Sequence, residues 1–126
     1  MTGLPEPRSP LAAFLRSFRF ASLGVWQAVR TQRNMRVHCA AALAAIIAGA
    51  VLRIGPVQWA CVSLAIGMVL VAEIFNTVVE AMIDLQTQRF HPLAKIAKDG
   101  AAGAVLVASI AAVGVAIAVF VPRLLR

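Results

Sequence analysis

The chain has 126 residues, 61% of them hydrophobic, with a mean hydropathy of +0.86 and a net charge of +7. A single domain of that size cannot bury so much apolar surface inside itself, so an ordinary soluble fold is excluded and lipid is the expected solvent. Five acids, Glu6, Glu73, Glu80, Asp84 and Asp99, stand against twelve bases. The bases flank apolar runs instead of forming an aromatic-interleaved stripe, which favours anionic headgroups or phosphates over nucleic acid.

Residues 1–10, MTGLPEPRSP, hold three prolines and an acid. They read as a disordered tail, and with no apolar run behind a basic start no cleavable signal peptide is expected. From Leu11 to Arg33 the apolar residues Leu11, Phe14 or Leu15, Phe18, Val25 and Val29 recur near helical spacing, with Arg16, Arg19, Gln27 and Arg30 on another face. That pattern predicts an amphipathic helix lying on the membrane surface; the alternative is a fourth, partly buried core helix.

Three spans follow in one domain covering residues 11–126. The first, about 37–54, is built on Cys39 to Leu52, with Arg36, His38 and Arg53 able to snorkel at its ends. Cys39 and Cys61 lie outside any C-x-x-C pattern and behave as small hydrophobes. Gly55 and Pro56 mark a turn. The second span, about 57–84, starts uncharged and gathers polar groups later. The third, about 100–121, carries no charge and repeats a small residue every fourth position at Gly100, Ala104, Ala108, Ala112 and Ala116. Such a stripe lets another helix approach closely, so homo-oligomers are expected.

Arg8, Arg16, Arg19, Arg30, Arg33, Arg36, Arg89, Lys95 and Lys98 fall on one side of these spans, and only Arg53, Arg123 and Arg126 on the other. The excess of basic residues makes the first side cytoplasmic.

The chemistry concentrates in Glu73-Ile-Phe-Asn76-Thr-Val-Val-Glu80-Ala-Met-Ile-Asp84. On a helix Glu73, Asn76, Glu80 and Asp84 fall within an arc of about 80° and climb about 16 Å. Three carboxylates on one stripe near hydrocarbon repel one another and require compensation, which a hard cation such as Mg²⁺ meets best through oxygen ligands. The stretch LQTQRFHPLAKIAKDGA then adds Arg89, His91, Lys95 and Lys98 beside Asp99. Cations next to an acidic stripe can hold a polyphosphate. The Walker A pattern and the Gly-rich kinase loop do not occur, so a nucleotide site here has to be built differently.

The run E-x-x-N-T-x-x-E-x-x-x-D at Glu73 to Asp84, followed by H-P-L-A-K-x-A-K-D at His91 to Asp99, resembles the prokaryotic diacylglycerol kinase and undecaprenol kinase family. S-F-x-x-A-x-x-G at Ser17 to Gly24 and R-N-M-R-V-H at Arg33 to His38 are similar to it as well. The resemblance implies an all-α homotrimer in the bacterial cytoplasmic membrane, with a surface helix and three transmembrane helices per subunit. Its active site would lie on the cytoplasmic side and pass the γ-phosphoryl group of MgATP to a lipid hydroxyl. By the same resemblance Glu73 is the general base and Glu80 binds the metal, while Phe20, Asn76, Asp84, His91, Lys98 and Asp99 serve the nucleotide. Arg16, Ser17 and Gly24 would meet the lipid substrate.

Two positions depart from the family pattern. Gln32 stands where a second metal-binding glutamate is expected, and Ala13 where some members carry an arginine that Arg16 would replace. The H-P-L-A-K-x-A-K-D form resembles the undecaprenol-kinase branch more than the diacylglycerol branch, which implies undecaprenol as acceptor over diacylglycerol. A small proton-coupled multidrug or ion transporter is the rival reading, since one membrane carboxylate could exchange protons with a cation. It accounts for Glu73 but not for the asparagine, the other acids and the Lys98-Asp99 pair at one membrane face. A structural adaptor needs no acidic stripe at all.

Overall fold

The computed structural model describes residues 9–125. Residues 1–8, with Glu6 and Arg8, and Arg126 lie outside the described residues. Four helices follow one another: α1 (Pro10–Thr31), α2 (Arg33–Val51), α3 (Pro56–Gln86) and α4 (Pro92–Leu124). α2, α3 and α4 are each long and apolar enough to cross a membrane. With the backbone of each spanning segment bonded inside its own helix, this all-α architecture meets the demand that hydrocarbon makes on a spanning chain.

Helix starts are fixed locally. Ser9 caps α1 by accepting the N–H of Ala12 at 3.2 Å, and Pro10 occupies the first turn, so order begins inside the stretch read as a tail. α1 ends at Thr31 because Gln32 takes an extended conformation (φ −96°, ψ 123°), and α2 restarts at Arg33. α1 rests on α2 and α3 with Ala28 as its one buried residue, and it is not among the helices long and apolar enough to cross a membrane. Leu11, Phe14, Leu15 and Phe18 are exposed along it, as an interfacial helix requires.

The turn between α2 and α3 is anchored without a left-handed glycine. Arg53 takes the positive φ, 48°, while the N–H of Ile54 reaches back to the carbonyl of Gly49 at 3.1 Å. Arg123, near the end of α4, donates to the Arg53 carbonyl at 3.4 Å and to Gln58 Oε1 at 3.0 Å. Gln58 Oε1 also accepts from the Gly55 N–H at 2.9 Å. One guanidinium thus ties the C-terminal end of α4 to the α2–α3 turn. Next to it Ile54, Val62 and Val119 form the buried core cluster, with Trp59 and Phe120 packed against it.

Helix length then places the opposite end. α2, with 19 residues, measures about 28 Å and matches the hydrocarbon thickness, whereas the 31 residues of α3 and 33 of α4 run to about 46 and 50 Å. The surplus must project beyond the hydrocarbon, away from the Arg123 clamp. α4 starts at Pro92, about two turns before the uncharged stretch at Gly100, so Lys95, Lys98 and Asp99 sit on a helix rather than in a loop. On the small-residue stripe of α4, Ala108 is buried and Ala112 and Ala116 border a half-open apolar cavity, while Gly100 and Ala104 stay exposed.

Gly49 is buried where α2 meets the turn, and a Cβ there would lie 2.9 Å from the Trp59 ring and 3.0 Å from Ile54 Cδ1. Gly49→Val is expected to destabilise the protein by about 1–3 kcal/mol through overpacking. A lowered thermal midpoint of the detergent-solubilised protein would show it; an unchanged midpoint would mean that the Trp59 ring swings aside freely.

Candidate active site

The polar stripe of α3 forms as its spacing predicts, but its members meet very different surroundings. Glu73 is 2% exposed and Asn76 6%, the two buried polar side chains of the described residues. Glu80 is half-buried and Asp84 exposed. Counted along the axis from Pro56, Glu73 lies about 26 Å from the clamped end and Asp84 about 42 Å, so with the clamped end set at one edge of a hydrocarbon layer of about 30 Å Glu73 falls inside it and Asp84 beyond it. The stripe is a ladder from lipid to water.

Hydrogen bonding along the ladder is incomplete. Asn76 Nδ2 donates to Glu80 Oε1 at 3.3 Å, and the Thr77 hydroxyl donates to the Glu73 carbonyl at 2.9 Å. Two buried oxygens, Glu73 Oε2 and Asn76 Oδ1, have no hydrogen-bond partner among the described residues. A buried acceptor without a donor costs about 1–3 kcal/mol, so such atoms persist where they have a task. The side chain that comes nearest to a pairing is His38 of α2, whose Nε2 is 4.0 Å from Glu73 Oε2.

Beyond the ladder the projecting ends of α3 and α4 enclose an open basin of about 450 Å³, bordered by Asp84, Arg89, His91, Lys95, Lys98 and Asp99. Lys98 Nζ donates to Asp84 Oδ1 at 2.5 Å across the two helices, and Lys95 pairs with Asp99 one turn along α4. His91 caps α4, its Nδ1 accepting the N–H of Leu93 at 3.2 Å. Thr87 folds the connecting loop: its hydroxyl donates to the Arg89 carbonyl at 3.1 Å and accepts the Arg89 N–H at 3.2 Å.

The structure therefore gathers Asp84, His91, Lys98 and Asp99 at one basin, with Asn76 and Glu80 on the ladder leading to it. Gln32 is placed differently. It is the residue that breaks α1 from α2, and among the described residues its side chain makes no hydrogen bond to Glu80. On α1, Phe20 is exposed, Arg16 half-buried, and the Ser17 hydroxyl is turned back onto the Ala13 carbonyl at 3.1 Å. Gly24 has open space where a side chain would be. Sequence reasoning missed His38 and Thr87. His38 was legible only as a snorkelling residue and a motif member, because its partner lies on another helix.

Residues 19–120 match the family described as prokaryotic diacylglycerol kinase. The chain belongs to that family. It is 40% identical over 119 residues to the undecaprenol kinase of Bacillus subtilis (strain 168), an alignment taking 94% of this chain and 97% of that protein. It is 46% identical over 110 residues to a diacylglycerol kinase of Synechocystis sp., covering 86% of this chain and 63% of the relative. The protein is a membrane lipid kinase, and a kinase family gives the transporter reading no support.

The Lys98–Asp84 pair is substantially exposed, at 37% and 57% for the two side chains. Exposed ion pairs contribute little to stability, so Lys98→Ala should shift the unfolding free energy by no more than about 1 kcal/mol. Thermal unfolding in detergent checks this, and a collapse of the fold would reassign the pair to a structural role.

Proposed function

We propose that the kinase transfers the γ-phosphoryl group of ATP to the primary hydroxyl of a membrane lipid, undecaprenol being favoured, with Glu73 as general base. The observation that carries this reading is the buried, unpartnered Glu73 oxygen just inside the hydrocarbon boundary, one ladder away from a cationic basin. A lipid alcohol presents its hydroxyl at that depth and has no reason to leave the membrane. A carboxylate there can accept the hydroxyl proton as the oxygen attacks the γ-phosphorus and the bond to ADP breaks. Lys98, beside Asp84 about 16 Å further along α3, would hold the part of the nucleotide remote from the reacting phosphoryl group.

The donor set suits a hard divalent cation held largely by the nucleotide. Glu80 offers a carboxylate, and the unpartnered Asn76 Oδ1 a neutral oxygen beside it. Among the described residues no three His, Cys, Asp or Glu side chains come together, so the protein supplies few ligands and the triphosphate would supply the rest. When bound with ATP, Mg²⁺ neutralises charge on the β and γ oxygens. Gln32 is a further neutral ligand in this reading, dependent on a movement of the α1–α2 junction.

Undecaprenol is favoured by the motif form and by end-to-end similarity to an undecaprenol kinase. Diacylglycerol is the second reading, supported by the 46% identity to a diacylglycerol kinase. A homotrimer accounts for the outward apolar faces of α2, α3 and α4 and for the open space around Gly100 and Gly103. By the excess of basic residues, the basin faces the cytoplasm across the inner membrane of a bacterium.

Purified protein given ATP, Mg²⁺ and each lipid separately should phosphorylate undecaprenol with the higher kcat/KM, and the reverse order would name the diacylglycerol branch. Glu73→Gln should lower turnover about 10²-fold or more with ATP binding kept; near-normal turnover would sink the base assignment. Glu80→Gln should raise the Mg²⁺ requirement sharply and Gln32→Glu should lower it, since hard cations prefer charged oxygens. An unchanged Mg²⁺ dependence in both variants would remove Glu80 and Gln32 from the metal site.

A further inference from the structure

Lys98 meets the ladder at its exposed end, and one ionisable side chain reaches its buried end from another helix. His38 projects from α2 and brings Nε2 to 4.0 Å from Glu73 Oε2, the buried oxygen that lacks a partner. The polar neighbours on α3 are committed elsewhere: the Thr77 hydroxyl to the Glu73 carbonyl, the Asn76 amide to Glu80. α4 carries no ionisable side chain from Gly100 to Val121. His38 also borders an apolar cavity of about 230 Å³ between α2, α3 and α4, where Ser109 is the one other polar residue. The imidazole therefore stands where hydrocarbon meets the carboxylate.

We infer that His38 is a positioning residue for Glu73, its Nε2–H donating to Oε2 so that the second carboxylate oxygen is held toward the lipid hydroxyl. The inference rests on the reading of Glu73 as general base. An imidazole N–H is a suitable donor, and a modest side-chain rotation brings 4.0 Å to hydrogen-bond distance. Fixing the carboxylate plane matters because a base must meet its proton in line, and a displacement of about 1 Å is enough to slow a positioned reaction severely. Since His38 would touch neither ATP nor the reacting atoms, its loss should appear in turnover and not in affinity.

The test compares His38→Ala, His38→Asn, His38→Gln and Glu73→Gln in lipid phosphorylation by the purified full-length kinase. A glutamine amide nitrogen can stand near the place of Nε2, whereas that of asparagine falls short. His38→Ala and His38→Asn should lose about tenfold or more in kcat, with KM for ATP and lipid within about threefold, and His38→Gln should recover most of the loss. Adding His38→Ala to Glu73→Gln should cost nothing further, because the group being positioned is already gone. Equal activity of the Asn and Gln variants, or an effect confined to KM, overturns the positioning role and leaves the base assignment standing. So does an unchanged kcat in His38→Ala alongside an inactive Glu73→Gln. Near-normal turnover in Glu73→Gln overturns the base reading itself. If His38→Ala fails to fold, the comparison of the two amides decides.

Discussion

A carboxylate held in an apolar bundle is the constraint around which this molecule is organised. Glu73 is, with Met35, among the most buried side chains of the described residues, yet one of its oxygens has no donor there. In hydrocarbon such an atom is tolerated only beside groups that can engage it, and the protein provides them in graded order. His38 approaches from α2, Asn76 and Glu80 follow on α3, and Asp84 with its lysine partner stands in water.

Helix length converts that gradient into a site. α2 is just long enough for hydrocarbon, so the extra turns of α3 and α4 emerge together on one side. Their projecting ends and the loop between them bring Asp84, Arg89, His91, Lys95, Lys98 and Asp99 to one basin, and the Thr87 loop and the His91 cap set where α4 begins. The far end does the opposite work. There Arg123, Gln58 and the left-handed Arg53 lock the turn, and Gly49 lets the Trp59 ring close over it. One end is packed and clamped; the other is open and charged. In the proposed reading this division lets a lipid substrate stay in the membrane while the nucleotide stays in water.

The exposed apolar faces have a related meaning. Leu64, Met68, Leu106, Val107 and Ile110 point outward from α3 and α4. The same surfaces serve lipid contact and, in the proposed homotrimer, contact with other copies, since hydrocarbon tails and apolar side chains are equivalent neighbours for them.

Much of this was legible in the sequence because local rules govern it. Apolar runs announce spans, and a helix carries residues at 73, 76, 80 and 84 onto one face whatever surrounds it. The family-specific motifs carried the kinase assignment, and the family match bore it out. Tertiary structure decided what local rules do not reach. It placed Lys95 and Lys98, which precede the expected third span at about 100–121, in the first turns of α4, through a proline and a histidine cap. It joined Asp84 to Lys98 and left Gln32 at a helix break, without a bond to Glu80 among the described residues. It also set His38 against Glu73. Each of those outcomes except the cap depends on how separate helices rotate and slide against one another, and their apolar faces, nearly uniform in chemistry, leave that register unwritten in the pattern of residues along any one of them.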